Sequence, residues 1–162
     1  MTGGELVDHI DRRILTELQA DGRLRNNELA DRIGISHSSC LRRVRSLRSR
    51  GVIKTIRATL DEQMLGYEVV AFVSIRLSSQ QQEAIAAFES AIAALPLVQQ
   101  CWRLSGDADF LLKCVSTGVE GMSRQLRQFA ALPGIRAIRS FPVLGVSKDA
   151  PLPIEPPAAP SK

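Results

Sequence analysis

The sequence predicts an α+β chain: an N-terminal winged helix-turn-helix, then a ferredoxin-like βαββαβ domain. Three observations carry this. Apolar residues recur at helical spacing through three short segments before Gly51, and the second and third meet across a tight turn at Gly34. After residue 66 the period changes, and strand-like and helical stretches follow in the order β-α-β-β-α-β. Two stretches, 61–66 and 149–162, lack such a pattern.

The first helix is expected from Val7 to Ala20. Ile10, Ile14 and Leu18 recur at four-residue spacing, Leu15 widens the stripe, and Asp21-Gly22 stops it. A shorter helix fits Asn26 to Ile33, with Leu29 and Ile33 inward and Asn26 as a cap. Gly34 ends it by permitting a left-handed backbone. Ser36 then caps a third helix that runs to Arg50, and Gly51 closes that one. Val52 to Leu60, rich in β-branched residues, reads as the strand of a wing.

The boundaries that follow are a winged helix-turn-helix domain over 6–60, a connector over 61–66, a second domain over 67–148 and a disordered tail over 149–162. Tyr67 to Leu77 is strand-like with apolar residues on both faces, so both faces are expected to be covered. Gln80 to Leu95 is helical and ends at Pro96. Val98 to Leu104 and Asp109 to Val115 are strands joined by a Ser-Gly-Asp-Ala hairpin. Val119 to Ala131 is helical, and Ile135 to Val146 is the last strand. Pro142 cannot donate to a ladder, so that strand belongs on an edge. The tail holds five prolines and little to pack.

Composition narrows the function. The 162 residues are 44% apolar, ordinary for a globular chain, and no apolar run reaches the roughly 20 residues of a membrane span. No basic start followed by an apolar stretch opens the chain, and no signal peptide is expected. Cys40, Cys101 and Cys114 are not at metal-ligand spacing, which fits reduced thiols in a cytoplasm. His9 and His37 lie in no metal or nucleophile motif. Neither a metal nor a cofactor is expected, and no membrane partner.

Charge is the informative anomaly. Between Ser36 and Arg57 stand seven basic side chains and no acidic one, whereas the remainder holds fourteen basic and seventeen acidic residues. The formal charge of +4 thus conceals a mildly acidic chain with one basic stretch, the footprint of a polyanion partner. At roughly 100° per residue, Cys40, Leu41, Val44 and Leu47 share the packed face of the third helix. Ser38, Ser39, Arg42, Arg45, Ser46 and Ser49 point the opposite way, and Arg43 and Arg50 flank that face. Serines allow close approach to a major groove, and arginines reach guanine or phosphate. Ser38, Ser39, Arg42 and Arg45 are therefore the expected groove readers. Arg43, Arg50, Lys54 and Arg57 are expected to anchor phosphates. Ser36 is expected chiefly as a cap, His37 as structural or a phosphate contact, and Arg48 as part of the packing.

IDRRILTELQADGRLRNNELADRIGISHSSCLRRVRSLRSRGVIKTIRATLD resembles the N-terminal half of the leucine-responsive and asparagine-regulator (Lrp/AsnC) family of transcription factors. LSGDADFLLK and LPGIRAIRSF extend the likeness over nearly all of Leu6 to Val146. The resemblance implies a winged helix-turn-helix, a hinge, and a ferredoxin-like domain that dimerises and senses amino acids. It implies homodimers that assemble into octamers or other higher homo-oligomers, with effector bound between dimers. By position it implies an effector site around Leu104, Gly106, Asp107 and Asp109, with Met122 and Phe141 nearby. Read without the family, Gly106 and Asp107 are a tight turn. Trp102 reads either as a core or dimer contact or as a wall of the effector pocket. Two departures stand out: the third helix is more basic than the family's usual mixture, and Pro142 occupies a position where a β-branched residue is common.

The expected function is a sequence-specific regulator that binds double-stranded DNA and is modulated by an amino acid or related small metabolite. One alternative is a nucleoid-type architectural DNA-binding protein. The other is an enzyme resembling family relatives that decarboxylate a tetrapyrrole. No histidine follows His37, so the second domain lacks the commonest general base, and no enzyme is expected.

Overall fold

The computed structural model describes residues 7–155. Contacts divide them into two units: residues 7–59 with 148–155, and residues 60–147.

The first unit is built on three helices, α1 (His9–Ala20), α2 (Asn26–Ile33) and α3 (His37–Ser49). Asp8 caps α1, its carboxylate accepting the Asp11 amide at 2.8 Å. The cap of α2 is Arg25 rather than Asn26, because Asn26 already has helical geometry as the first residue. Glu28 stabilises that end by accepting the Arg25 amide at 3.3 Å. Gly34 adopts φ +75°, and its amide reaches back to the Ala30 carbonyl at 2.9 Å, which closes α2 and frees the chain to turn. Ser36 then caps α3. Ile14, Leu29, Ala30, Ile33, Cys40, Val44 and Leu47 form a buried apolar core between the three helices.

The expected wing strand over Val52–Leu60 is not formed. The Val52 and Ile53 amides both return to the Leu47 carbonyl, at 2.9 and 3.1 Å, and the chain from Lys54 to Leu60 is irregular and exposed. β-branched residues favour a strand only where a neighbouring strand accepts them, and no described segment pairs with this one. The winged module here carries an extended arm in place of a paired wing.

The second unit opens with a hydrogen-bonded turn. Asp61 accepts the Met64 amide at 3.0 Å, and Lys113 meets the Glu62 carboxylate at 3.2 Å. Then follow β1 (Val69–Leu77), α4 (Gln82–Ala93), β2 (Val98–Arg103), β3 (Phe110–Ser116), α5 (Val119–Ala130) and β4 (Ile135–Pro142). The sheet is antiparallel in the order β2-β3-β1-β4, the ferredoxin-like arrangement. Pro142 ends β4 on an edge, opposite Ala71.

The helices cover one face only. Ala71, Val73, Ile75 and Leu77 of β1 pack with Phe110, Leu112, Cys114, Ile85, Phe88, Ile92, Met122 and Phe129. On the other face Val70, Phe72 and Leu111 are half-buried, while Trp102 and Phe141 are 39% and 53% exposed. Val115 on that face is buried and the Glu62 carboxylate meets Lys113 there, so the two-sided covering expected from the apolar content of β1 is met only in part within the described residues.

The expected disordered tail lies partly outside the described residues, at 156–162. Residues 149–155 have neither helix nor strand, yet they group with the helical unit.

Candidate functional site

The cationic surface is built by α3. Burial of Cys40, Val44 and Leu47 fixes the helix rotation, which leaves Ser38, Arg42, Arg45, Arg48 and Ser49 exposed. Ser39 is half-buried, and its amide donates to the Ser36 cap oxygen at 3.3 Å. Arg50, Lys54 and Arg57 continue the surface past Gly51 and along the arm, all exposed. Arg42, Arg45, Arg48, Arg50, Lys54 and Arg57 make no hydrogen bond or ion pair with any described residue. Six uncompensated cations along one helix and its continuation form a strongly positive strip.

Two expected roles change places. Arg43 does not stand free as a phosphate anchor. Its Nη1 donates to Asp8 Oδ2 at 2.6 Å and to Asp11 Oδ1 at 2.8 Å, and its side chain is only 25% exposed. Arg43 therefore clamps α3 against the start of α1. The guanidinium favours the ionised Asp8, although the Asp11 amide is the larger cause holding that carboxyl below its ordinary range. The two carboxylates in turn push the Arg43 pKa up. Arg48, expected in the packing, is exposed and unpaired among the described residues. A shift of a fraction of a helical turn separates the two outcomes, and only the partners on α1 decide between them.

Ser36 is a cap, with its hydroxyl 3.3 Å from that of Ser38. His37 is exposed rather than packed, with Nε2 3.2 Å from Asp31 Oδ1.

Of the residues expected to hold an effector, Leu104, Gly106, Asp107 and Asp109 share the β2–β3 hairpin, whereas Met122 lies in α5 and Phe141 in β4. Met122 is 5% exposed and belongs to the core under the sheet, so it offers no surface. Asp109 is occupied: Oδ2 accepts the Leu77 amide at 2.7 Å and Oδ1 the Gln80 side-chain amide at 3.1 Å. It fastens the β2–β3 hairpin to the end of β1. Leu104 and Gly106 are exposed in that hairpin, and Gly106 has φ +138°, which glycine adopts without strain. Phe141 lies on the open sheet face opposite Phe72. Trp102 also lies on that face, its ring 6.4 Å from Phe72, so it is neither core nor a wall of an enclosed pocket in this chain.

Asp107 does enter a depression. About 290 Å³ is lined by Ser74, Arg76, Asp107, Ala108, Ala137 and Arg139. The pairing of Ser74 with Arg139 and of Arg76 with Ala137 brings the two guanidinium groups to neighbouring strands on one face. Sequence reasoning missed both arginines. The available signal was parity: Arg76 shares a face with Phe72, and Arg139 with Phe141, but the β1–β4 register that joins them was not legible.

A three-helix unit with a cation-bearing second helix of its turn, followed by a ferredoxin-like unit, defines a one-component DNA-binding regulator with a ligand-binding module. The model of the winged helix-turn-helix DNA-binding family matches residues 7–54, and that of the Lrp/AsnC ligand binding domain matches residues 70–153. A leucine-responsive regulatory protein of Rhizobium meliloti is 41% identical over 145 residues, covering 89% of this chain and 93% of that one. The leucine-responsive regulatory protein of Escherichia coli K12 is 37% identical over 142 residues, covering 87% of each. Among solved structures, a transcriptional regulator in complex with L-methionine from Neisseria meningitidis superposes with TM-score 0.84 at 30% identity, covering 91% of this chain and 97% of that one. A feast or famine regulatory protein from M. tuberculosis complexed with L-methionine gives TM-score 0.80 at 30% identity, covering 91% and 99%. This chain belongs to the Lrp/AsnC family of transcriptional regulators.

Proposed function

We propose that the outer face of α3 enters the major groove of double-stranded DNA. Ser38, Ser39, Arg42 and Arg45 read base edges, while Arg48, Arg50, Lys54 and Arg57 hold phosphates. The carrying observation is the row of cations with no internal partner. Counterion release at such a row makes affinity strongly salt-dependent. Arg42→Ala is expected to cost about 1–3 kcal/mol at a specific site. Arg48→Ala is expected to weaken all duplexes alike and flatten the salt slope by about one unit. Fluorescence anisotropy across a salt series checks both, and an Arg48→Ala slope equal to that of the parent would refute its phosphate role.

The effector in this reading is a free amino acid seated in the depression at Asp107. The Arg76 and Arg139 guanidinium groups pair with its carboxylate, and Asp107 with its ammonium. Ala108 and Ala137 leave space beside these groups. The L-methionine complexes of the two neighbours support an amino acid as the ligand class. A thermal-shift screen of the common amino acids should find one that stabilises the parent. Asp107→Asn and Arg139→Gln should each lose that shift while keeping the DNA affinity of the parent. An undiminished shift in both variants would place the ligand elsewhere.

The open sheet face is proposed as the seat of a second copy, with Phe72, Trp102, Leu111 and Phe141 at its centre. Assembly and effector binding then share one face, so each influences the other. An octamer or other higher homo-oligomer built from such dimers follows the family pattern. Regulation without catalysis, in the cytoplasm, completes the reading. The architectural alternative differs in one respect: it would cover duplexes irrespective of sequence.

A further inference from the structure

We infer that the segment 148–155, which carries Pro151 and Pro153, is a strap seated on the outward face of α1. Four observations converge. Residues 148–155 group with the helical unit, although they follow directly on the sheet unit in sequence. Ile154 is half-buried while Pro151, Leu152, Pro153 and Glu155 around it are exposed, so one side chain of the segment has found a surface. Ile154 and Glu155 enclose a depression of about 340 Å³ with His9, Arg12, Arg13 and Thr16. Glu155 Oε1 lies 4.0 Å from Arg12 Nη1.

The four α1 residues define one face. At roughly 100° per residue His9, Arg12, Arg13 and Thr16 cluster on the side away from Ile14, which is fully buried in the core. That face carries two arginines and a histidine, whereas residues 149–155 carry Asp149 and Glu155 and no base. Charge and shape therefore select the same pairing. The ion pair is long and its Glu155 end is exposed, so it orients the strap more than it stabilises it. Ile154 supplies the apolar contact. Pro151 and Pro153 restrict φ and favour an extended segment before docking, which reduces the entropy lost on binding.

The strap has a mechanical consequence. Docking of Ile154 closes the chain from β4 back to α1 as a loop, so the segment loses the freedom of a free end. The partner of this α1 face is thus the tail of the same chain.

The test uses the full chain with isoleucine δ1 and threonine methyl groups labelled. Cross-peaks between the Ile154 methyl and Thr16 are expected, with the Ile154 resonance displaced from its random-coil position. In Ile154→Asp, and in a chain ending at Ser147, the Thr16 resonance should move while that of Ile14 stays, which confirms that the three-helix core is intact. A random-coil Ile154 resonance without cross-peaks would overturn the strap, as would an unmoved Thr16 in both variants. Cross-peaks seen only between separately labelled copies in a mixed sample would overturn docking within one chain.

Discussion

Arg43 on α3 bridges the carboxylates of Asp8, the cap of α1, and of Asp11 in its first turn, so it sets the orientation of the cationic surface without belonging to it. Asp11 is 6% exposed, and removing its cationic partner leaves a buried carboxylate with its hydrogen bond unmade. Arg43→Ala should therefore destabilise the helical unit by about 2 kcal/mol, measured by denaturant unfolding. Arg42→Ala, one residue away and exposed, should change stability by less than about 0.5 kcal/mol. The pH dependence follows from Asp8, whose folded pKa is depressed by the Asp11 amide and by Arg43. Its contribution is complete above about pH 4 and is lost as acid takes the carboxyl through its lowered folded pKa. Asp8→Asn keeps a capping oxygen and removes the titration. The stability gap between parent and Asp8→Asn should be constant from pH 5 to 7 and close on acidification below about pH 4. A gap that widens below pH 4 would contradict this assignment. None of the pairing was legible beforehand. Helical periodicity places Arg43 and Arg48 on flanks of the same helix, and only the position of Asp8 and Asp11 on a neighbouring helix separates clamp from free cation.

At the scale of elements, periodicity served where an element makes its own hydrogen bonds and failed where it needs another. The helices α1 to α3 were legible because their caps and stops, Ser36, Gly34 and Gly51 among them, act locally. The arm over 52–60 was misread because β propensity without a pairing partner does not make a strand. β1 was correctly read as apolar on both faces, yet what covers the second face is not encoded within its own nine residues. Phe72 and Phe141 face each other across β1 and β4 there, and Trp102 lies beside them. A charge at the centre of that face should prevent a second copy from seating. Phe141→Arg is expected to shift the protein from oligomer to monomer in analytical ultracentrifugation, with its far-ultraviolet circular dichroism unchanged. An unchanged sedimentation coefficient would move the interface elsewhere. For the effector, the hairpin around Asp107 was visible as a turn. Its arginine partners were not, because Arg76 and Arg139 lie 63 residues apart and meet only through strand register.

For the whole molecule, the excess positive charge is confined to one surface of the helical unit. Cations are concentrated on α3 and the arm that follows it, whereas residues 1–35 and 60–147 are each slightly acidic, and the sheet unit matches the Lrp/AsnC ligand binding domain. The central claim is that Arg42 and Arg45 on α3 select the DNA sequence. Selection of duplexes from a random pool by the parent and by an Arg42→Ala/Arg45→Ala variant, at one fixed salt concentration, tests it most directly. The parent should enrich a two-fold symmetric motif, as a dimer with paired recognition helices requires. The variant, still folded by circular dichroism and still binding bulk duplex through Arg48, Arg50, Lys54 and Arg57, should enrich none. Enrichment of the same motif by both proteins would contradict the claim.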